Sequence, residues 1–224
     1  MCMGDFTSCH THFQLREGDL LFHVVDEGKG NAITAVTPGG IDHVAIYIGS
    51  SGVQEFGSSC VPAVASDQRS SAGVQELGSS GGETDWVVEA VGSGVVMTQM
   101  DSLLHRDGGY YLAGRVRGID RRRSVSNALS YLGRPYDDLY LADNEAVYCS
   151  ELVQLSFVDR RGERVFEPVP MSFHDSTGVV TPYWREFYSR QRMEVPEGKP
   201  GTNPGELSKR KRVRLHLLPL TIEH

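Results

Sequence analysis

The sequence predicts an α+β fold, in which short strands and tight turns combine with amphipathic helices. Residues 43–49, HVAIYIG, form an apolar, β-branched run of strand length. Residues 85–91 and 95–100 are two further strand-like runs joined by a Gly-Ser-Gly turn, the pattern of a β-hairpin. Residues 149–157 carry mostly apolar side chains at i, i+3, i+4, i+7 and i+8, which indicates a helix that begins close to Cys149.

The remaining elements follow from local patterns along the chain. A strand is expected to begin near Leu20, after the turn at 16–18, and another to run over 110–116. The Pro-Gly-Gly sequence at 38–40 marks a turn before the HVAIYIG strand. A short helix is predicted after Ser124, where apolar residues recur at helical spacing before a Gly and a Pro end it.

Two segments are expected to lack regular structure. Beyond Asp159 the chain is rich in Pro, Gly and aromatic residues, which favours irregular structure that wraps the surface. Residues 209–214 have the sequence KRKRVR and are followed by an apolar LHLLPL. In an otherwise acidic protein such a basic run is typical of a solvated segment, so we predict that residues 209–224 form a C-terminal tail.

An internal repeat interrupts the predicted fold. The sequence SSGVQEFGSS at 50–59 returns as SAGVQELGSS at 71–80. Two copies are too few for a stable solenoid, and the surrounding residues are mostly Ser, Gly, Gln and Glu. We therefore predict a flexible Ser/Gly-rich insertion over 50–84, in which Cys60 has no function.

Composition argues against several classes of protein. The chain has 224 residues and a net charge of -7, with 22 Lys and Arg against 29 Asp and Glu. No apolar run approaches the ~18 residues that a membrane-spanning helix needs, so no integral membrane segment is expected. The negative charge argues against non-specific binding of nucleic acid, which depends on Lys and Arg that neutralise phosphates.

The cysteines and the first residues give little information about the cellular compartment of the protein. Four cysteines are too few and too irregularly spaced for a disulfide framework or a zinc motif. The start lacks the basic and apolar regions of a signal peptide, so we expect a cytoplasmic chain as written, or a periplasmic or cell-envelope protein if the natural start differs. Cys9, His10 and His12 could suggest a metal site, but in a polar terminus a frayed end is the simpler interpretation, and no cofactor is predicted.

Cys149 is the most informative residue for function. The N-terminus of a helix carries about half a positive charge and unsatisfied N–H groups. Both favour a thiolate, which is the nucleophilic form of cysteine. A lone cysteine on an apolar helix is often a small buried hydrophobe, so its position alone leaves both interpretations open.

A nucleophilic cysteine needs a base, and His43 is the best placed of the eight histidines. It opens the HVAIYIG strand, where the sheet backbone would hold it and aim its ring. His23 lies inside the first predicted strand. The other histidines fall in predicted loops or tails: His10, His12, His105, His174, His216 and His224.

Seven segments of the chain form a specific series. They are REGDLLF (16–22), ITAVTPGGIDHVAIYIG (33–49), VVEAVGSGV (87–95), LGRPYDDLY (132–140), YCSELVQLSF (148–157), PVPMSFHDSTG (168–178) and VPEGKPGTNPGELS (195–208). In this order they resemble the YiiX/YebB-like permuted papain-like amidases, a branch of the NlpC-like cysteine peptidase superfamily. The resemblance spans residues 14–208, which we take as one hydrolase domain that contains the insertion.

The resemblance implies a circularly permuted papain-like fold, in which an antiparallel sheet packs against helices and the histidine strand precedes the cysteine helix. It also implies that Cys149 is the nucleophile, His43 the general base, and Glu89 the residue that orients the imidazole. A carboxylate in an apolar strand needs a partner, which makes Glu89 notable on physical grounds as well. A solvent-facing strand residue is the alternative for this position.

Other residues are candidates for supporting roles. Asp42 could orient His43, but its side chain should point to the opposite face of the strand. Asp19 is more simply a turn or cap residue, and Asp137 belongs to a substrate-facing or structural loop. Tyr148 could donate to an oxyanion, although the backbone N–H at the start of the helix is the more economical donor.

The sequence therefore predicts a cysteine hydrolase that cleaves an amide bond through an acyl-enzyme thioester, without a metal or organic cofactor. The substrate would be a small peptide, a muropeptide or an acyl amide, and no nucleic-acid partner is expected. Two alternatives stay open. One is a thiol-dependent acyltransferase, in which an amine or alcohol intercepts the thioester. The other is a catalytically silent module that holds a ligand with the C-terminal aromatic residues Phe173, Tyr183, Trp184, Phe187 and Tyr188.

Overall fold

The computed structural model describes residues 13–50, 84–106, 108–142 and 145–218. The predicted insertion falls almost entirely outside these described residues, and so do the first twelve residues with their Cys and His cluster. Among the helices of the described part, none is long and apolar enough to cross a membrane.

An antiparallel sheet of six strands forms the centre of the fold, which confirms the α+β prediction. The strands of the described chain are β1 (Leu20–Val25), β2 (Ile41–Gly49), β3 (Trp86–Val91), β4 (Gly94–Gln99), β5 (Gly109–Val116), β6 (Val169–Pro170), β7 (Pro200–Gly201) and β8 (Val213–Leu217). The large sheet has the order β4-β3-β2-β1-β5-β8, and β6 pairs separately with β7. The predicted strands and the predicted hairpin, β3 and β4, are all present.

Five helices surround this sheet in the described residues. They are α1 (Met100–Leu104), α2 (Arg121–Leu129), α3 (Cys149–Ser156), α4 (Pro182–Arg190) and α5 (Pro204–Ser208). The predicted start of a helix at Cys149 is confirmed. The helix expected after Ser124 begins earlier, because the side chain of Asp120 accepts a hydrogen bond from the N–H of Arg123 and caps it.

The prediction of irregular structure beyond Asp159 is wrong for two segments. Helices α4 and α5 each begin with a proline, a residue that is tolerated in the first turn because its missing N–H would have no helical partner there. Asn203 caps α5 by accepting a hydrogen bond from the N–H of Glu206 at 2.7 Å. Local capping therefore outweighs the loop-like composition.

The predicted C-terminal tail over 209–224 is also corrected, because residues Val213–Leu217 form β8 and pair antiparallel with β5. Without β8, strand β5 would present a row of unpaired N–H and C=O groups at the edge of the sheet. Because the segment is basic, the sequence pattern predicts a solvated tail here and not a strand. Residues 219–224 lie outside the described chain.

The main core lies between the sheet and helices α2 and α3. Leu152 and Phe157 are almost fully buried there with side chains of β1, β2 and β3. Asp19 anchors the start of β1 through buried ion pairs with Arg115 at 2.7 Å and Arg121 at 3.3 Å. Its carboxylate also accepts the N–H of Arg16, which agrees with the predicted turn or cap role. The packing fixes α3, and therefore Cys149, against the sheet.

We expect Leu152→Ala to lower the free energy of unfolding by about 2–5 kcal/mol, because it leaves a cavity between α3 and the sheet. Urea denaturation would measure this loss. Leu217→Ala is the matched control, since that leucine is 74% exposed and its truncation should change stability by no more than about 0.5 kcal/mol. Equal effects of the two substitutions would contradict the described packing.

Candidate active site

Strands β2 and β3 bring His43 and Glu89 together. Their register pairs Ile46 with Val88, which places Glu89 diagonally across from His43 on the same face of the sheet. The Nε2 atom of His43 lies 2.7 Å from Oε2 of Glu89. The structure therefore brings these two predicted site residues together in a direct hydrogen bond.

The carboxylate of Glu89 is fully buried but has three side-chain partners. Besides His43, it accepts a hydrogen bond from Thr98 on β4 at 2.5 Å and two from Arg106, which follows α1, at 2.7 and 2.5 Å. Burial alone would raise the pKa of Glu89, but His43 and Arg106 outweigh it and lower the pKa to about 2. Glu89 is thus an anion at neutral pH and not a solvent-facing strand residue.

The ring of His43 lies between Glu89 and Cys149. Burial would lower the pKa of His43, but its hydrogen bonds with Cys149 and Glu89, and the charges of both, raise the pKa to about 10. Because Glu89 engages Nε2, Nδ1 is the ring nitrogen that is left for the thiol. This ring is charged at neutral pH and faces sulfur on one side and carboxylate on the other.

Cys149 is the first residue of α3 and follows the extended N-cap residue Tyr148. The cap has no side-chain hydrogen bond, so the first N–H groups of the helix are not capped by it. Such groups and the helix dipole stabilise negative charge on a nearby sulfur or oxygen. Cys149 is 4% exposed, and it lines the cleft that is described below.

Asp42 does not orient His43. The β1–β2 register passes from His23 opposite His43 to Val24 opposite Ile41, so Asp42 is an extra residue in a β-bulge. Its carboxylate binds Nδ1 of His23 and the side-chain amide of Asn31, each at 2.7 Å. The structure therefore contains a second histidine–carboxylate pair, His23 with Asp42, besides His43 with Glu89.

The other candidates have structural roles or different partners. Asp137 is buried and accepts hydrogen bonds from the N–H groups of Leu139 and Leu141, which closes its own loop. The hydroxyl of Tyr148 is buried and accepts the N–H of Thr202 at 3.0 Å. This hydroxyl is therefore already engaged with a backbone group across the fold.

A cleft of about 500 Å³, a volume that includes solvent-open space, lies beside Cys149. Its wall is mainly aromatic and aliphatic: Tyr136, Tyr140, Tyr148, Phe173 and Trp184, with Ile33, Val36 and Met171. Trp184 is held by a hydrogen bond from its indole N–H to the carbonyl of Ala32. Tyr140 has a left-handed backbone with φ of 52°, a costly conformation that the surrounding structure must impose.

Two hydroxyl groups near Cys149 lack a protein partner among the described residues. The side chains of Ser150 and Thr202 line the cleft, and their oxygen atoms are buried without a hydrogen bond there. A buried polar group without a partner costs about 1–3 kcal/mol. These two residues therefore carry such a cost beside Cys149, and their oxygen atoms lie beneath the surface of the cleft.

Arg106 and Thr98 are the site residues that sequence reasoning missed. Neither lies in a motif, and Arg106 follows a short helix in a polar stretch. The one available signal was Glu89 itself, because a carboxylate in an apolar strand needs a charged partner. This signal does not indicate where in the chain the partner lies. Only the tertiary fold brings Arg106 to Glu89 across 17 residues.

Comparisons with known proteins agree with this architecture. A family model described as permuted papain-like amidase enzyme, YaeF/YiiX, C92 family, matches residues 14–214. The crystal structure of the metalloprotein yiiX from Escherichia coli O157:H7 is similar, with a TM-score of 0.61 and 20% identity over 91% of this chain and 97% of that chain. At this identity the likeness shows the fold alone. A search of curated proteins finds no match.

The yiiX protein of that crystal structure is described as a metalloprotein. In the part of this chain that the structure describes, no group of three or more His, Cys, Asp or Glu side chains could hold a metal ion. The acidic and histidine side chains near the cleft are instead paired with each other, as His43 with Glu89 and His23 with Asp42.

We expect Arg106→Gln to lower the free energy of unfolding by about 1–2 kcal/mol, because it removes charged hydrogen bonds to a buried carboxylate from a side chain that is itself partly exposed. Arg106→Lys should recover part of the loss, since it keeps the charge. Urea denaturation measures both, with exposed Arg185→Gln as the control. A loss no larger than that of the control would contradict the inferred role of Arg106.

Glu89 should also make stability depend on pH. Its folded pKa of about 2 lies below the ordinary value of 4.5, so its contribution is fully present above pH 4.5 and is lost as the pH falls towards 2. We expect wild type to exceed Glu89→Gln by on the order of 3 kcal/mol near pH 7. The difference should shrink between pH 4.5 and 2 in urea titrations. A constant difference over that range would be the contrary result.

Proposed function

Since the chain belongs to the permuted papain-like amidase family, we propose that it is a cysteine hydrolase that cleaves an amide bond with Cys149, His43 and Glu89. The observation that carries the proposal is the hydrogen bond between His43 and the buried Glu89 carboxylate, with the thiol of Cys149 near enough to raise the pKa of the same ring. Side chains from a helix and two strands converge there, and a nucleophile, a base and an orienting group stand in the order that acyl transfer requires.

The charge state of His43 defines the first step. With its pKa raised to about 10, the ring is an imidazolium at neutral pH, and the proposed first step pairs this cation with the nucleophilic, deprotonated form of the Cys149 sulfur. The sulfur attacks the substrate carbonyl carbon, and the carbonyl electron pair moves to oxygen. The N–H groups at the start of α3 would stabilise this oxyanion. The imidazolium then gives its proton to the leaving amine as the C–N bond breaks.

Hydrolysis of the thioester completes the cycle. The neutral His43 ring takes a proton from water, whose oxygen attacks the acyl carbon, and the C–S bond breaks to return a thiolate beside an imidazolium. Glu89 holds Nε2 throughout, so Nδ1 stays directed at the sulfur. Arg106 and Thr98 keep the Glu89 carboxylate ionised and in place.

The cleft supports an amide whose acyl side is apolar. Phe173, Trp184 and the neighbouring tyrosines form an apolar wall beside Cys149. A substrate that places its carbonyl carbon at the sulfur of Cys149 and an apolar group against the aromatic wall would fit this cleft. Short peptides with apolar residues, muropeptides and acyl amides are the classes to test.

Acyl transfer is the second candidate, and the apolar wall is the observation that favours it. The same thioester yields transfer when an amine or alcohol takes the place of water. The third possibility, a silent binding module, would use the aromatic residues alone and has no need of a thiol in contact with a charged histidine. The contact between Cys149 and His43 therefore favours chemistry over passive binding.

Iodoacetamide labelling at pH 6 tests the nucleophile. We expect rapid labelling of the peptide that contains Cys149 in the folded wild type, because a thiolate paired with an imidazolium reacts at a pH where an ordinary thiol, with a pKa of about 8.5, hardly does. His43→Gln should slow this labelling and make it rise steeply with pH. Mass spectrometry of the digest locates the label.

Cys60 is the matched control, since Cys60→Ala should leave the labelling of Cys149 unchanged. Equal labelling of Cys149 in wild type and His43→Gln at pH 6 would contradict the proposed pairing of Cys149 with His43.

For substrates, intact-protein mass spectrometry would detect an acyl adduct on Cys149 after incubation with peptides, muropeptides or acyl amides. Replacement of water by added amines then separates hydrolysis from transfer, and loss of His43 should lower turnover by about 10²–10⁴.

A further inference from the structure

The basic run at 209–214, which the proposed hydrolase activity does not use, belongs to a larger basic surface. Three segments, 117–123, 159–164 and 209–214, hold 12 of the 22 Lys and Arg of the chain but only 3 of its 29 Asp and Glu. The rest of the chain therefore has 10 basic against 26 acidic residues. The protein is strongly acidic outside these segments and strongly basic within them.

The three segments meet in space. The N–H of Arg117 donates to the carbonyl of Arg212, and its guanidinium donates to the carbonyl of Lys211, both at 2.9 Å. The N–H of Asp120 donates to the carbonyl of Val158 at 2.9 Å, directly before the second segment. The guanidinium of Arg123 packs against Gly162. Segments far apart in sequence thus form one continuous surface.

We name this surface the basic face. Its exposed members include Arg117, Arg123, Arg160, Arg161, Arg164, Lys209, Lys211, Arg212 and Arg214. The acidic residues within it have local backbone roles: Asp120 caps α2, and Asp159 accepts N–H groups of Arg161 and Glu163. Because basic residues outnumber acidic ones by 12 to 3 in these segments, the face keeps a large positive charge.

Two exposed leucines adjoin the basic face. Leu215 and Leu217 follow Arg214 on β8, and their side chains are 39% and 74% exposed. Residues i and i+2 of a strand point to the same side, so the two leucines form a small apolar edge on the side of β8 where Val213 packs against the main core, and Arg214 points to the other side of this edge strand. Isolated exposed leucines are common, but basic side chains next to apolar ones match the interface of an anionic bilayer, where phosphates and acyl chains are adjacent.

We propose that the basic face binds the surface of a membrane rich in anionic lipids, with Leu215 and Leu217 entering the headgroup region. Nucleic acid is the other polyanion that such charge could attract, but single strands are bound by stacking of bases on aromatic side chains. Among the described residues, the exposed large aromatic side chains are Tyr110 and Tyr183, and neither belongs to the basic face. The exposed Leu215 and Leu217 therefore favour a lipid membrane over nucleic acid as the partner of the basic face.

One segment of the basic face lies away from Cys149 along α3. The segment 159–164 follows the C-terminal end of α3, whereas Cys149 lies at the N-terminal end of that helix, about 12 Å away along its axis. The proposal therefore concerns where the protein is held and does not depend on the chemistry of Cys149.

Co-sedimentation of the full chain with vesicles tests this proposal. We expect binding to vesicles that contain phosphatidylserine, little binding to phosphatidylcholine alone, and loss of binding as salt is raised. The variant Lys209→Gln/Lys211→Gln/Arg214→Gln should bind the anionic vesicles on the order of 100-fold more weakly at low salt. Leu217→Ser should weaken vesicle binding too, without changing binding to duplex DNA.

The matched control removes three exposed charges elsewhere, Lys29→Gln/Arg185→Gln/Arg190→Gln, and should bind as wild type does. Circular dichroism reports that each variant is folded. Three results would overturn the proposal: equal binding to neutral and anionic vesicles, equal loss in the control variant, or binding of duplex DNA or RNA that anionic vesicles fail to compete away. If the triple variant were unfolded, Leu217→Ser would decide alone.

Discussion

The buried carboxylate of Glu89 is the interaction on which the candidate site depends. A charge with no exposed surface is tolerated only when donors surround it, and here the donors come from β2, from β4 and from Arg106, two positions after the end of α1. Glu89 therefore connects β3 with β2, with β4 and with the residues after α1. It also raises the pKa of His43, so the contacts that stabilise the buried charge are the same ones that the proposed mechanism uses.

Helix α3 connects the two ends of the molecule that have distinct chemistry. At its N-terminus, Cys149 faces the imidazolium and an apolar cleft. Beyond its C-terminus begins one segment of the basic face, whose other segments come from the start of α2 and from the approach to β8. Because α3 is buried against the sheet over most of its length, it holds Cys149 at a constant distance from the basic segment 159–164.

The positions of Cys149 and His43 could be predicted because each stands at the boundary of a regular element that local patterns reveal. Glu89 was predictable for a related reason, since a carboxylate in an apolar strand demands a partner. Arg106 was not predictable, because a partner for a buried charge can come from any part of the chain that the fold brings near. The same applies to β8, whose basic composition suggests solvent while its backbone completes the sheet beside β5.

Local sequence was enough to specify the secondary structure that carries the site: the apolar strand around His43, the hairpin with Glu89, and the helix that starts at Cys149. These features depend on neighbours a few residues apart, which is the range over which side-chain patterns act. Long-range packing settled which donors neutralise Glu89, how the β-bulge at Asp42 turns that residue towards His23, and how three separate basic segments form one surface. Burial of a charge and completion of the sheet depend on contacts between residues that are far apart in the sequence. Local sequence patterns cannot predict them for that reason.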